Sequence, residues 1–196
     1  AWLGWPDGAQ VVLHTGNMGL KQGLEQVLVA ARLAAVDQPR TRFVLMGHGS
    51  QRRALQTGAA DLGNVEFRDL VDEAAYPNVL AAADVLLVNE RATIVDMSLP
   101  GKLTSYFSAG RPVVAAVPSG GATAREVARS GAGLVVPAED PPALVAALRQ
   151  LENEPELAAE LGAAGAAFAQ AELGREACLA RVGAFVADLI GERRAG

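Results

Sequence analysis

The chain has 196 residues, a formal net charge of -5 and one cysteine. This length suits one domain that can bury a full hydrophobic core without disulfides or a structural metal. No run of basic residues is longer than two, which argues against binding nucleic acid, because that function needs a basic face. No apolar run approaches the roughly 18 residues that a membrane span needs, and Cys178 has no partner for a disulfide. We therefore expect a cytoplasmic protein with no membrane span and no nucleic-acid partner.

Six apolar runs recur along the chain, and each is followed by a segment with helical periodicity. The runs are QVVLHTG, RFVLMG, NVEF, ADVLLVN, RPVVAAV and AGLVVP, and the helical segments are 20–36, 51–61, 73–82, 101–109, 121–130 and 140–151. Because the runs are apolar throughout, they predict parallel strands covered by helices on both faces. The predicted fold class is α/β, a Rossmann-like three-layer domain with about six parallel strands and a ligand site at their carboxyl ends.

The two ends of the chain differ from this pattern. The first eight residues, AWLGWPDG, are typical of a linker, so residues 1–9 are expected to be the remnant of an interdomain linker and residues 10–196 to form the domain. Residues 154–173 and 175–191 are Ala-rich and predict two C-terminal helices with no strand between them.

The first predicted strand leads into a glycine-rich turn bracketed by Gly16 and Gly19. Backbone N–H groups of such a turn, and the positive end of the helix after it, can face an anion. The spacing is neither the dinucleotide fingerprint nor a P-loop, and such a turn also serves packing alone. Lys21 falls in the first turn of the predicted helix, where a cation opposes the helix dipole unless an anion is bound. The alternative is a solvated surface lysine.

The loop after the fourth predicted strand carries Lys102, the other of the chain's two lysines among 17 basic residues. Pro100 and Gly101 suit a helix start, and Lys102 lies at that start. Ser98 and Ser105 add hydroxyl groups nearby. Two loops at one edge of the sheet would thus each offer a helix amino terminus and a lysine. That pairing suits a diphosphate, whose charges need donors from both sides.

The remaining polar and aromatic residues have simpler interpretations. His14 lies within a predicted buried strand and is expected to be a hydrogen-bonded core histidine. Tyr106 and Phe107 are expected in the core, and Cys178 is expected to pack between helices. The chain has two separate histidines and no Asp-x-Asp motif. No metal site is therefore predicted.

Several segments occur together in a family's order and spacing across residues 10–190. They are GNMGLKQGLEQVLVAA, FVLMGHGSQRRAL, NVEFRDLV, ADVLLVNE, SLPGKLTSYFSAGRPVVAA and GAGLVVPAEDPPALVAAL. The chain in this respect resembles the C-terminal, nucleotide-sugar-binding domain of GT-B fold, family 4 glycosyltransferases. It is most similar to the branch of bacterial exopolysaccharide and colanic-acid-type enzymes.

This resemblance implies a nucleoside diphosphate sugar, UDP- or GDP-linked, as substrate, with no cofactor. It implies that Lys21 and Lys102 stabilise the leaving diphosphate and that the backbone after the third strand contacts the nucleobase. The further residues implied in donor binding are Gly16, Asn17, Gly19, Gly47, His48, Arg68, Leu70, Val71, Asp96, Ser98, Pro100, Gly101, Leu103 and Ser105.

The chain departs from the family pattern at two places. Asn17 stands where the family commonly has arginine, with a spacing to the next lysine that is one residue shorter. Met97 and Ser105 stand at the two glutamate positions of the E-x7-E pattern. Glu90 and Asp96 are the nearby carboxylates, and which of them replaces a family glutamate stays open, as does a solvated position for Asp96.

The resemblance implies a hexosyltransferase that moves a sugar to a glycan or lipid-linked acceptor, with retention and without a metal. Its N-terminal acceptor domain would lie outside this sequence, so this chain is expected to bind without catalysing. The intact enzyme would act in the cytoplasm, at the inner face of the membrane. Two alternatives are a GT-B sugar-nucleotide 2-epimerase, disfavoured by the low histidine content, and a non-catalytic binding module. A dinucleotide oxidoreductase is disfavoured because Gly47 and His48 replace the acidic ribose ligand.

Overall fold

Strands and helices alternate along the protein. The structure is a computed structural model that describes residues 4–94 and 101–195, with residues 187–195 described by their helical backbone alone. The strands are β1 Gln10–Asn17, β2 Thr41–His48, β3 Val65–Arg68, β4 Val85–Asn89, β5 Val113–Val117 and β6 Gly133–Pro137. The α-helices are α1 Glu25–Asp37, α2 Arg52–Gly58, α3 Tyr76–Ala82, α4 Lys102–Ser108, α5 Ala122–Ser130, α6 Pro141–Asn153, α7 Pro155–Phe168 and α8 Arg175–Ala195.

The six strands form one parallel sheet in the order β3-β2-β1-β4-β5-β6. This order and the helices between the strands confirm the predicted Rossmann-like α/β fold. Chain connectivity reverses direction between β1 and β4, which are neighbours in the sheet. In open α/β sheets, ligands bind outside the carboxyl ends of the strands at such a switch point. The sheet therefore places its natural crevice between the ends of β1 and β4.

Two hydrophobic clusters cover the two faces of the sheet. One contains side chains from α1, α2 and α6, and the other contains side chains from α3, α4 and α5. Tyr106 and Phe107 are fully buried in the second cluster, which confirms their predicted place in the core. The strands β4 and β5 are buried along their length, whereas the edge strand β3 is partly exposed. Burial on both faces explains why the central strands carry unbroken apolar runs.

β1 is paired very differently with its two neighbours. It pairs with β2 along its whole length, from Gln10 opposite Thr41 to Asn17 opposite His48. It pairs with β4 only at Val12 and Leu13. Beyond Leu13 the two strands have no paired residues. The crevice at the carboxyl ends reaches down to Thr15, next to the fully buried His14.

The predicted helix over residues 20–36 is wrong at its start. Leu20–Gln22 forms a single 3-10 turn, and α1 begins only at Glu25. Gly23 ends the short turn with a φ of 56°, in the left-handed region that favours glycine. The buried Asn89 side chain at the end of β4 then donates to the Gln22 and Gly23 carbonyls at 2.6 and 3.1 Å. These bonds hold the interruption in place.

The Ala-rich C-terminal helices are confirmed as α7 and α8, joined by a π-helical turn at Ala169–Leu173. The predicted start of α6 is also confirmed, because Asp140 Oδ1 accepts from the Ala143 amide at 3.0 Å. At the other end of the chain, Trp5 packs against the second cluster, with the Arg68 guanidinium 5.8 Å from its ring centre. Part of the predicted linker therefore lies against the domain.

Candidate functional site

An open cleft of about 560 Å³ lies at the carboxyl ends of β1 and β4. Six of its lining residues were predicted as site residues from the sequence, and three were not. The predicted ones are Gly16, Leu70, Val71, Gly101, Lys102 and Ser105, and the others are Thr15, Glu73 and Tyr76. The fold thus brings the loop after β1, the loop after β3 and the start of α4 to one place.

A second cleft, of about 370 Å³, lies at the opposite, amino-terminal ends of the strands. Its charged side chains already have partners within the chain. Arg40 pairs with Glu152 at 2.6 Å, Asp84 accepts from the Val11 amide at 2.8 Å, and Arg111 donates to the Ala81 carbonyl at 2.8 Å. The cleft at the carboxyl ends is therefore the better candidate for a charged ligand.

Glycines allow the backbone of β1 and β2 to meet closely at the cleft. Gly47 has a φ of 145°, and a Cβ on it would lie 1.9 Å from the Gly16 carbonyl oxygen. Gly16 has a φ of 102°, and a Cβ there would lie 3.8 Å from Lys102 Nζ. Both positions need glycine, Gly47 for space and Gly16 for its backbone conformation.

The Lys102 side chain extends from the start of α4 into the cleft. Its Nζ lies 3.4 Å from Nε2 of His14, which is fully buried in β1. Loss of hydration lowers the pKa of Lys102 to about 8, although the negative charge of Glu90 acts in the opposite direction. An ammonium in such a place favours an anion that replaces its lost hydration.

Glu90 follows β4 and is partly buried beside this lysine. Its Oε1 accepts from Thr123 Oγ1 of α5 at 2.9 Å. Burial raises the pKa of Glu90, while the Thr123 hydroxyl and the charge of Lys102 lower it. Of the two carboxylates considered from the sequence, Glu90 is thus the one that the structure describes, and its charge affects the pKa of the cleft lysine. Asp96, the other one, lies outside the described residues, as do Ser98 and Pro100.

Lys21 lies outside the α-helix that was predicted to begin with it. It is exposed in the 3-10 turn, and it is not among the described residues that line the cleft. The first turn of α1 carries Glu25 instead, whose carboxylate pairs with Arg91 at 2.5 Å. The argument from an unfavourable helix dipole thus does not apply to Lys21, and its contact with a diphosphate stays a prediction.

Two backbone amides in the turn after β1 donate hydrogen bonds within the protein. The Met18 amide donates to the His48 carbonyl at 2.7 Å, and the Gly19 amide donates to Gln22 Oε1 at 3.0 Å. These two amides are therefore engaged inside the protein. Asn17 is exposed at the end of β1, next to Gly19, so that a Cβ on Gly19 would lie 3.0 Å from Asn17 Nδ2.

The other predicted contact residues have different surroundings. His48 is exposed, and its Nδ1 accepts from Arg52, which also pairs with Asp69. The Arg68 side chain donates to Glu66 at 2.5 Å, so its guanidinium bonds along its own strand. Leu103 is fully buried, so only its backbone can contact a ligand. Among the residues that the structure describes, the cleft lining does not include His48, Arg68 or Leu103.

A hydroxyl network beneath the cleft was not predicted. The Thr15 amide donates to the Tyr106 hydroxyl at 2.9 Å, where β1 no longer pairs with β4. The Thr15 hydroxyl lies 3.1 Å from that of Tyr106 and 2.7 Å from that of Tyr76. Burial raises the pKa of Tyr106, so its hydroxyl stays protonated. The network supports the floor of the cleft, and no local sequence pattern connects residues that are 91 positions apart.

The described residues contain neither a cluster of metal ligands nor a helix that could span a membrane. Within residues 4–94 and 101–195, no three histidine, cysteine or acidic side chains group as a metal site would require. Within the same ranges, no helix combines the length and the apolar character needed to cross a membrane.

The structure is a Rossmann-like domain with an open cleft and a lysine at the carboxyl ends of its strands. The chain belongs to the family described as glycosyl transferases group 1, whose model matches residues 9–154. The resemblance seen in the sequence is thereby confirmed at the level of the family.

Two similar proteins carry the names of sugar-transferring enzymes. The chain is 37% identical over 111 residues to a putative colanic acid biosynthesis glycosyl transferase, WcaI, of Escherichia coli K12, covering 55% of this chain and 26% of that protein. It is 29% identical over 180 residues to a GDP-mannose-dependent monoacylated alpha-(1-6)-phosphatidylinositol monomannoside mannosyltransferase of Corynebacterium glutamicum. This match covers 87% of this chain and 45% of that protein. The chain thus spans less than half of either relative.

Solved structures show the same fold. Sucrose-phosphate synthase from Thermosynechococcus elongatus superposes with a TM-score of 0.79 at 24% identity, over 97% of this chain and 48% of that one. HepE from Anabaena, solved in complex with UDP-glucose, superposes with a TM-score of 0.74 at 16% identity, over 94% of this chain and 49% of HepE. The C-terminal domain of LpcC from Francisella tularensis superposes with a TM-score of 0.69 at 15% identity, over 85% of this chain and 88% of that domain.

Proposed function

We propose that this chain is the donor-binding domain of a glycosyltransferase and that its cleft binds the diphosphate of a nucleoside diphosphate sugar. The observation that carries this proposal is the ammonium of Lys102 beside Gly16 at the β1 and β4 switch point. A partly dehydrated cation in an open cleft of about 560 Å³ is suited to a phosphate group.

The proposed chemistry is the departure of a nucleoside diphosphate from the anomeric carbon of the sugar. As that bond breaks, negative charge develops on the β-phosphate oxygen, and the Lys102 ammonium stabilises it without a metal ion. Retention at the anomeric carbon is part of the same proposal, as is the hexosyltransferase class. Lys21 is the second proposed contact, and it would approach the diphosphate from the exposed turn after β1.

The substrate is proposed to be UDP- or GDP-linked. One relative is named as GDP-mannose-dependent, and HepE is described in complex with UDP-glucose, so both bases occur among similar proteins. Leu70 and Val71 line the cleft after β3 and offer an apolar surface beside a base or ribose. The acceptor is proposed to be a glycan or a lipid-linked glycan, with a cytoplasmic reaction at the inner face of the membrane.

An N-terminal domain is proposed to complete the enzyme, since this chain spans less than half of its matched relatives. Residues 1–9 would belong to the linker between the two domains, and residues 10–196 to the donor-binding domain. Because the acceptor site would lie largely on the other domain, we expect this chain to bind a nucleotide without transferring sugar.

Calorimetry with UDP, GDP, their monophosphates and their nucleosides tests this proposal. We expect one diphosphate to bind more tightly than its nucleoside, and we expect binding to be equal with Mg²⁺ and with EDTA. A ligand at 100 times its Kd should also add about 2.7 kcal/mol to the free energy of unfolding. Equal affinity for nucleoside and diphosphate, or strict dependence on Mg²⁺, would contradict the proposed role of the lysine.

A further inference from the structure

The imidazole of His14 is fully buried behind the cleft lysine, where β1 and β4 stop pairing. We infer that His14 is a positioning residue: its Nε2 accepts a hydrogen bond from the Lys102 ammonium and holds that ammonium beside Gly16. The inference deepens the proposed function and rests on it for its consequence in nucleotide binding. The hydrogen bond between His14 and Lys102 is a feature of the unliganded protein and can be tested without a nucleotide.

The tautomer of His14 follows from its partners. Nδ1 lies 3.3 Å from the Leu87 carbonyl oxygen, which can only accept, so Nδ1 carries the hydrogen. Nε2 then has the lone pair, and the Lys102 ammonium 3.4 Å away is a donor that it can accept from. The Asn17 carbonyl, also 3.4 Å from Nε2, makes no hydrogen bond in this tautomer.

The other protonation states are less favourable. With the hydrogen on Nε2, that N–H could donate to the Asn17 carbonyl, but the lone pair of Nδ1 would face the Leu87 carbonyl and the ammonium would lose its acceptor. With both nitrogens protonated, a buried cation would lie next to Lys102. Burial and the Lys102 charge indeed keep the pKa of His14 well below 6.5. Neutral His14 with Nδ1–H is the state that satisfies both ring nitrogens.

The groups around Lys102 show why this acceptor matters. Glu90, at the end of β4, is the acid that raises the pKa of Lys102, and Glu73 lies exposed on the cleft wall. The Tyr106 hydroxyl below remains neutral and is bonded to Thr15. His14 therefore supplies a neutral acceptor on the inner side of the ammonium. We expect the loss of this acceptor to lower the pKa of Lys102 below its value of about 8, so that less of the lysine is charged at neutral pH.

The first test reads the tautomer in the unmodified protein. The chain has two histidines, so ¹⁵N-histidine labelling gives two rings, and exposed His48 serves as the reference. We expect His14 to be neutral from pH 6 to 8, with a protonated Nδ1 and an unprotonated Nε2. A protonated Nε2 would overturn the inference, whether or not the protein binds a nucleotide.

The second test reads Lys102 directly, since ¹⁵N-lysine labelling gives only two Nζ signals. In His14→Leu we expect the pKa of Lys102 to fall by about one unit and that of Lys21 to stay unchanged. His14→Gln should restore much of the value, because its amide oxygen can accept. His48→Leu is the matched control and should change neither lysine. An unchanged Lys102 pKa in His14→Leu would contradict the inference.

Nucleotide affinity then separates positioning from a merely structural role. If only the charged lysine binds diphosphate, a pKa lowered by one unit should weaken binding of UDP or GDP about fivefold at pH 8 and hardly at all at pH 6. An equal loss at both pH values would show a structural role and overturn the inference. If the unmodified protein binds neither nucleotide, the proposed function fails, while the tautomer and lysine measurements still decide the role of His14.

Discussion

Lys102 and Gly16 meet across the crevice although 86 positions separate them in the chain: a Cβ on Gly16 would lie 3.8 Å from Lys102 Nζ. One belongs to the first turn of α4 and the other to the end of β1. Their contact depends on the reversal of chain order between β1 and β4. The following predictions test what this arrangement does.

Lys102→Met should weaken binding of UDP or GDP, because it removes a charge-assisted hydrogen bond worth about 1.5–3 kcal/mol. Binding of the matching nucleoside should hardly change. Lys21→Met removes the same charge at the second proposed contact, and its exposed position predicts a smaller loss, below about 1 kcal/mol. Calorimetry on the three proteins measures this. A loss in Lys21→Met as large as in Lys102→Met would contradict the leading role of Lys102.

Lys102→Met should also stabilise the unliganded protein near pH 7. The pKa of Lys102 is lowered to about 8 in the folded protein, so burying its charged form opposes folding at lower pH. Between about pH 8 and 10.4 the unfolded chain binds more protons than the folded one, so wild-type stability rises with pH. The advantage of the variant should therefore shrink across this window. Urea unfolding at pH 7 and pH 10 measures it, and a constant difference would contradict the buried charge.

Tyr106→Phe should lower the free energy of unfolding by about 1–3 kcal/mol, because the buried Thr15 amide would lose its acceptor. Tyr76→Phe is the matched control, since its hydroxyl bonds only the Thr15 side chain among the contacts described and its ring is partly exposed. We expect a clearly smaller loss there, by denaturant unfolding. A loss in Tyr76→Phe as large as in Tyr106→Phe would argue against the Tyr106 hydroxyl as the support of β1.

Gly47→Ala should be among the most damaging single changes. Its Cβ would lie 1.9 Å from the Gly16 carbonyl oxygen, and its φ of 145° is itself unfavourable for alanine. We expect a loss above about 4 kcal/mol or failure to fold. Gly63→Ala is the control, because a Cβ there would have no atom within 4 Å. Thermal unfolding compares the two, and similar midpoints would show that the contact of β1 with β2 can relax.

The sheet could be predicted from the sequence because burial on both faces leaves a local signal. β4 and β5 are almost entirely apolar, β1 and β2 contain apolar stretches, and the helices between the strands are periodic. The start of α1 could not be predicted. The helix begins only at Glu25 because of the conformation of Gly23 and because of hydrogen bonds from Asn89, a side chain at the end of a strand distant in sequence. The helical periodicity of the sequence extends across residues 20–24, so it gives no sign that the helix is interrupted there.

The candidate site was predicted in part for a similar reason. Glycines after strands and a lysine at a helix start are local features, and they identified Gly16, Gly101 and Lys102, which line the cleft. The hydrogen bond of Lys102 to His14 and the effect of the Glu90 charge on this lysine were not predicted, because they arise only when β1 and β4 become neighbours. His14 was correctly expected to be a hydrogen-bonded core residue, but its bond to the lysine leaves no trace in the sequence.

The most direct test of the central claim is a titration of the ¹⁵N-lysine-labelled protein with UDP and with GDP. The two Nζ signals, of Lys21 and Lys102, report separately on the exposed turn and on the cleft. We predict that one of the nucleotides shifts the Lys102 signal in a saturable way and raises its pKa above about 8, because a bound diphosphate favours the charged lysine. Saturable binding that leaves the Lys102 signal and its pKa unchanged would contradict the account.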